Sequence, residues 1–264
     1  MNNLHVLVFT KEQLNIALNK PGDIVSRIYV DSTLATKVMK DSVLTKFDFK
    51  ELFLACPYIL RNKDKEPLKQ LIMNNGFEGV LVRNLETLAY LNENLELWPC
   101  LQIVLDSSCY ALNKNALDFY VKESKLVIKE FYSSFELTEK EILEDSSLVV
   151  YGRIPMMVSA NCVRKTMDKC SGVPGFVELN DRTGAKHVVF TDCLHCYNVI
   201  FNAIPLSLHK YINIFEKTNF RLDFTNEPES ITDDVINYFH SLFTSYKEPF
   251  YKDFTTGHIK RSVE

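Results

Sequence analysis

The chain has 264 residues, 46% of them hydrophobic and 24% charged, with a formal net charge of −4. This is ordinary globular composition, and the charge supplies no bulk drive toward nucleic acid. No apolar run approaches the roughly 18 residues of a membrane span, and MNNLHVLVFTKEQ lacks the apolar core of a signal peptide, so the expected location is cytoplasmic.

In chain order, short apolar runs alternate with helical periods. Strands are expected at His5–Phe9, Arg27–Asp31, Leu52–Ala55, Gly79–Arg83, Leu101–Leu105, Leu126–Phe131, Leu148–Tyr151 and Phe220–Phe224. Helices are expected at Lys11–Asn19, Pro67–Asn75, Leu85–Asn92, Lys114–Lys122, Thr138–Glu144 and Leu206–Thr218. Thr138 through Glu141 reads as a capping box. Strand–helix alternation implies parallel strands joined by crossover helices. Eight units in a chain of this length, close to the ~250 residues of such folds, predict an α/β protein: a single (β/α)8-like barrel spanning 1–264. An open doubly wound sheet is the alternative.

The alternation breaks once, in a cysteine-rich insertion at about 155–205 between strands seven and eight. Its middle, GFVELNDRTGAKHVVFTD, reads as a hairpin turning at Asp181-Arg182-Thr183-Gly184. Cys162, Cys170, Cys193 and Cys196 lie here, spaced C-x7-C, x22, C-x2-C. Seven cysteines in all cannot pair completely as disulfides, so the cluster reads as reduced thiolate ligands. Zinc accepts the C-x2-C half but rarely so wide a second pair. An iron–sulfur cluster tolerates varied spacing. Both metals stay open on spacing alone. His195 could replace a thiolate, although a surface position is expected. Cys56, Cys100 and Cys109 lie in or beside strands and are expected to be buried. The polar, basic end TTGHIKRSVE is expected to return to the barrel mouth.

Functional side chains of such barrels project from the carboxyl ends of strands. Those ends supply Asp31, Arg61, Arg83, Asn84, Asp106, Arg153, Asp223 and Glu227. Several arginines facing one cavity would suit an anionic ligand, whereas pairing with neighbouring acids is the alternative. Arg153, Arg221, Arg83 and Arg61 are the candidates for an anionic cosubstrate. The phosphate-loop, dinucleotide, HExxH and GxSxG motifs are missing, and no catalytic base or nucleophile can be assigned.

The stretch Tyr151-Gly152-Arg153-Ile154-Pro155-Met156, with Ser159-Ala160-Asn161-Cys162, resembles peptidase family U32, the collagenase-like family. LNDRTG at Leu179–Gly184, DCLHCYNVIFN at Asp192–Asn202, RLDFTNE at Arg221–Glu227 and the tail TTGHIKRSVE extend the likeness over most of the chain. So does the opening VLVFTKEQLNIAL with RIYVD, which is similar to the start of the C-terminal barrel of long members. The resemblance implies a four-iron–four-sulfur cluster on Cys162, Cys170, Cys193 and Cys196, which tilts the metal away from zinc. It implies oxygen-independent hydroxylation of an RNA base with a dicarboxylate such as prephenate as oxygen donor. The family label implies a peptidase instead. Two features depart from the family pattern. Its acidic-Phe-Gly-Cys-Cys signature is absent, and long members carry a further upstream barrel. A non-catalytic subunit, stapled by a cluster or by zinc and partnered by another member of the family, is therefore a further reading.

Overall fold

The structure is a computed structural model describing residues 3–38, 50–74, 76–167, 170–215 and 218–261. Asn75, which ends the predicted Pro67–Asn75 helix, and the Ser262–Glu264 end of the tail lie outside the described residues. So do positions 216–217 within the predicted Leu206–Thr218 helix.

Five strand–helix units open the chain. They are β1 (Leu4–Val8) with α1 (Lys11–Asn19), β2 (Arg27–Asp31) with α2 (Ser32–Val38), β3 (Glu51–Ala55) with α3 (Asn62–Asn74), β4 (Gly79–Val82) with α4 (Leu85–Glu93), and β5 (Gln102–Leu105) with α5 (Lys114–Glu123). Local chemistry sets the helix starts. The Thr10 hydroxyl accepts from the Gln13 backbone N–H while the Gln13 side chain accepts from the Thr10 N–H, a complete capping box on α1. Asn84 and Asn113 cap α4 and α5 through single side-chain acceptors.

After β6 (Ile128–Phe131) and β7 (Leu148–Gly152) the alternation stops. An insertion follows: β8 (Pro155–Ser159), the single-turn α6 (Val163–Thr166), β9 (Gly175–Asn180), β10 (Lys186–Asp192) and β11 (Tyr197–Phe201). The chain returns through β12 (Leu206–Ser207) to β13 (Phe220–Asp223) and α7 (Glu229–Ser241). Two sheets result. Nine strands run in the order β12-β7-β13-β1-β2-β3-β4-β5-β6, parallel except for β12, and the insertion forms a separate antiparallel sheet β8-β11-β10-β9.

The expected (β/α)8 barrel is therefore corrected to a curled half-barrel sheet carrying a second, antiparallel sheet. The eight predicted strands are all present, but the helices expected at Thr138–Glu144 and Leu206–Thr218 are not. Thr138 donates to the Glu141 carboxylate as a capping box would, yet only one turn forms behind it. Leu206 and Ser207 pair antiparallel with Gly152 and Tyr151, so β12 occupies the β7 edge that barrel closure would need. Across the seam, β6 and β7 share one isolated parallel bridge, Tyr132 with Ser147. The predicted turn is as expected: Asp181 Oδ1 accepts from the Thr183 and Ala185 N–H groups, and Gly184 has φ +86°.

Side-chain alternation along the strands separates two apolar layers. Val6, Val8, Ile28, Val30, Val80, Val82, Ile103 and Leu105 face the helices. Leu7, Tyr29, Phe53, Leu81, Val104 and Tyr132 face inward, where Phe190, Tyr197, Val199 and Phe201 of the antiparallel sheet pack on them. Phe9 meets Phe190 edge-on at 5.0 Å between centroids. The insertion is thus seated over part of the curl's carboxyl end.

The interior near the amino ends is polar. Arg27 pairs with Glu51 and Glu130, Ser147 donates to Glu130, and His5 Nδ1 lies 2.8 Å from the Tyr132 hydroxyl. Burial drives the His5 imidazole down to about 3, against the opposing pull of Glu130. Between that value and the ordinary histidine range the unfolded chain binds the extra proton, so stability falls as pH falls through this window. His5→Gln should flatten that dependence, by about 1.4 kcal/mol per pH unit at its steepest, in urea unfolding between roughly pH 4 and 6. An unchanged slope would show that His5 carries none of it. Gly152 has φ +132°, and a Cβ there would stand 2.2 Å from the Asp223 carbonyl oxygen. Gly152→Ala should lower unfolding stability by about 3 kcal/mol.

Candidate functional site

A cleft of about 700 Å3 opens where the antiparallel sheet leaves the carboxyl ends of β4–β7 uncovered. Tyr58, Arg83, Ser107, Ser134, Phe135 and Met157 line it, with His258 of the returning tail. The tail is held there as expected: Thr255 bridges Leu206, and the Ser207 N–H donates to the Thr255 carbonyl.

Beneath the cleft lies a buried ion cluster built from four strand ends. Arg83, just past β4, donates to Asp106 past β5 (3.1 Å), to Asp31 of β2 (3.2 Å) and to the Cys56 carbonyl (3.1 Å). Arg221 of β13 donates to the same Asp106 (2.8 Å) and to Asp223 (2.6 and 2.9 Å). Aromatic faces complete the two arginines: Tyr58 lies 4.3 Å over Arg83 and Tyr132 4.1 Å over Arg221. One group on each guanidinium, Arg83 Nη2 and Arg221 Nη1, is buried with no hydrogen-bond partner among the described residues.

The electrostatics divide the carboxyls. Burial works to raise Asp106, but the charges of Arg221 and Arg83 outweigh it and hold the group below the usual range. For Asp31 and Asp223 burial wins, and both are raised despite Arg83 and Arg221 respectively. Tyr58 is also pushed up, because its hydroxyl sits in the same low-dielectric cluster.

The cysteine region adjoins this cluster. Cys193–Cys196 is the four-residue loop joining β10 and β11, with Cys196 in the left-handed region at φ +54°. Asp192 builds the loop: its Oδ1 accepts from the Leu194 and His195 N–H groups, and its Oδ2 holds His195 Nδ1 at 2.7 Å. That hydrogen bond and the Asp192 charge raise the His195 imidazole, outweighing burial. Asn198 donates to the Asn161 carbonyl at 2.6 Å, tethering the stretch that carries Cys162 to β11. Arg61 donates to the His195 and Cys196 carbonyls, and Lys63 Nζ stands 3.8 Å from Cys196 Sγ. Burial raises the Cys193 thiol, and the charges of Cys170 and Cys162 raise it further. Among the described residues, no three His, Cys, Asp or Glu side chains are arranged to hold a metal ion.

Three expectations are corrected. His195 is buried at 7% exposure rather than on the surface. Cys100 is exposed, whereas Cys56 and Cys109 are buried with thiols pushed up to about 12. The four candidate arginines do not share one cavity. Arg83 lines the cleft, Arg221 lies under it, Arg61 grips the cysteine loop, and Arg153 donates to the Asn202 and Ala203 carbonyls with its Nε unpartnered. Tyr58 and Tyr132 adjoin the ion cluster and Tyr197 the cysteine loop, and sequence reasoning missed all three. Only the polar end of an otherwise apolar ring distinguishes them from core aromatics.

Asp106 neutralises two buried guanidiniums at once. Asp106→Asn should cost about 3–5 kcal/mol at neutral pH, because both charges lose their shared partner. The Asp106 contribution is present above the ordinary carboxylate pKa of about 4 and is lost below it, so the gap between wild type and variant should close in acid unfolding curves. Comparison with protein families, curated proteins and solved structures finds no match for this chain.

Proposed function

We propose that this chain is an iron–sulfur protein in which Cys162, Cys170, Cys193 and Cys196 hold a four-iron–four-sulfur cluster beside a cosubstrate pocket. The observation that carries the reading is the β10–β11 loop: Cys193 and Cys196 bracket its four residues, and Asn198 ties the stretch that carries Cys162 to β11. Thiolates are the natural ligands of such a cluster, and the exposed edge of the loop leaves it access to solvent. When bound, the cluster would supply one-electron redox chemistry. Through its resemblance to peptidase family U32, the reading extends to oxygen-independent hydroxylation of an RNA base.

The chain's own residues support an anionic cosubstrate, such as the dicarboxylate prephenate, in the adjoining cleft. Arg83 lines it, with a buried Nη2 that has no partner among the described residues, while Ser107 and Ser134 add hydroxyls and Phe135 and Met157 an apolar wall. Arg83 and Arg221 already face Asp31, Asp106 and Asp223. An added anion therefore favours proton uptake at Asp31 or Asp223, the two carboxyls that burial raises. The peptidase reading gains nothing comparable: Ser207 and His209 pair at 2.9 Å, but both are buried.

Protein purified without oxygen should be brown and contain about four iron and about four sulfide per chain. Cys193→Ser should lose most of both. Colourless protein carrying stoichiometric zinc would sink the proposal.

A further inference from the structure

The loop between β3 and α3 touches both centres. At Tyr58 it lines the cleft: the ring lies 4.3 Å over the Arg83 guanidinium, whose side chain is fully buried and whose Nη2 has no partner among the described residues. Among the described residues nothing satisfies that donor, and Tyr58 and Arg83 both line the cleft. The Tyr58 main chain is pinned on two sides. Its carbonyl accepts from Asn84 Nδ2 at 3.1 Å, and its N–H donates to the Tyr197 hydroxyl at 3.1 Å. Tyr197 directly follows Cys196 and meets the Tyr58 ring edge-on at 6.4 Å. Three residues further along, Arg61 donates to the carbonyls of His195 and Cys196.

We propose that Tyr58 gates the cleft. With the ring over Arg83 the guanidinium is covered while the rest of the cleft stays open; rotation of the ring admits an oxygen acceptor of the ligand to Nη2. Because Tyr197 and Arg61 tie the same loop to the Cys193–Cys196 turn, a change at the thiols biases the gate. This regulation rests on the cleft being the ligand site, as proposed above.

Arg83 itself reports the gate, through phenylglyoxal labelling followed by peptide mapping, with exposed Arg182 of the hairpin turn as internal reference. In wild type Arg83 should label far more slowly than Arg182. Tyr58→Ala should speed Arg83 labelling about tenfold or more, the loss expected for a desolvated cation–π contact. Tyr58→Phe, which keeps the ring, should label like wild type. Tyr197→Phe, which removes the acceptor for the loop N–H, should fall between. Equal rates in wild type and Tyr58→Ala, or Tyr58→Phe matching Tyr58→Ala, would overturn the gate. A wild-type rate in Tyr197→Phe would overturn its link to the thiols. Circular dichroism monitors folding, and Tyr58→Leu carries the same test if the alanine variant does not fold. The labelling needs neither cluster nor ligand, so colourless protein would leave the gate testable, and a failed gate would leave the iron content unaffected.

Discussion

Two buried guanidiniums share the Asp106 carboxylate across the inside of a curled sheet. Four strands, β1–β4, lie between β13 and β5 in sheet order, yet Arg221 reaches Asp106 at 2.8 Å. That reach exists only because the sheet curls. A buried charge without its partner is far more costly than a missing apolar contact. The cluster therefore constrains the curl as strictly as the curl permits the cluster. Asp31 and Asp223 close its two ends, and Tyr58 and Tyr132 cap the cations that the carboxylates leave uncovered.

The insertion occupies what remains of the curl's carboxyl end. Its apolar face, Phe190, Val199 and Phe201, packs against Leu7 and Phe9 and covers the β1 side. The β4–β7 side is left as a cleft above the ion cluster. The cysteine loop forms at the tip of the β10–β11 hairpin because Asp192 satisfies its backbone and locks His195 beneath it. The cysteine loop and a polar cleft thus share one structural element, and the β3–α3 loop runs between them.

Much of this was legible along the chain. Short apolar runs marked all eight parallel strands, because burial on both faces demands near-continuous Val, Ile and Leu. Gly184 and Asp181 marked the hairpin through conformational preferences that act within a few residues. The failures share a cause. Thr138–Glu144 and Leu206–Thr218 have helical spacing, but a single capped turn and a pairing with β7 took their place. Helix periodicity is a weak preference that a nearby strand edge overrides. α7 and α2 were missed, although α7 buries Val235, Ile236 and Phe239 at helical spacing. The strand-end arginines were visible as candidates, but whether each met an acid, a carbonyl or a cavity was not.

The sequence by itself determined the eight parallel strands, the insertion and the grouping of four cysteines around one hairpin. Each of these follows from short-range patterns and chain connectivity. Only the tertiary structure decided that β12 would take the β7 edge, so that the sheet curls without forming an eightfold strand–helix ring. It alone decided that Arg83 and Arg221 would meet at Asp106, and that Tyr58 would lie over the free guanidinium face. Those are contacts between residues as much as 115 positions apart. They depend on the register and curvature of strands whose local patterns are nearly interchangeable, which no stretch of sequence specifies alone.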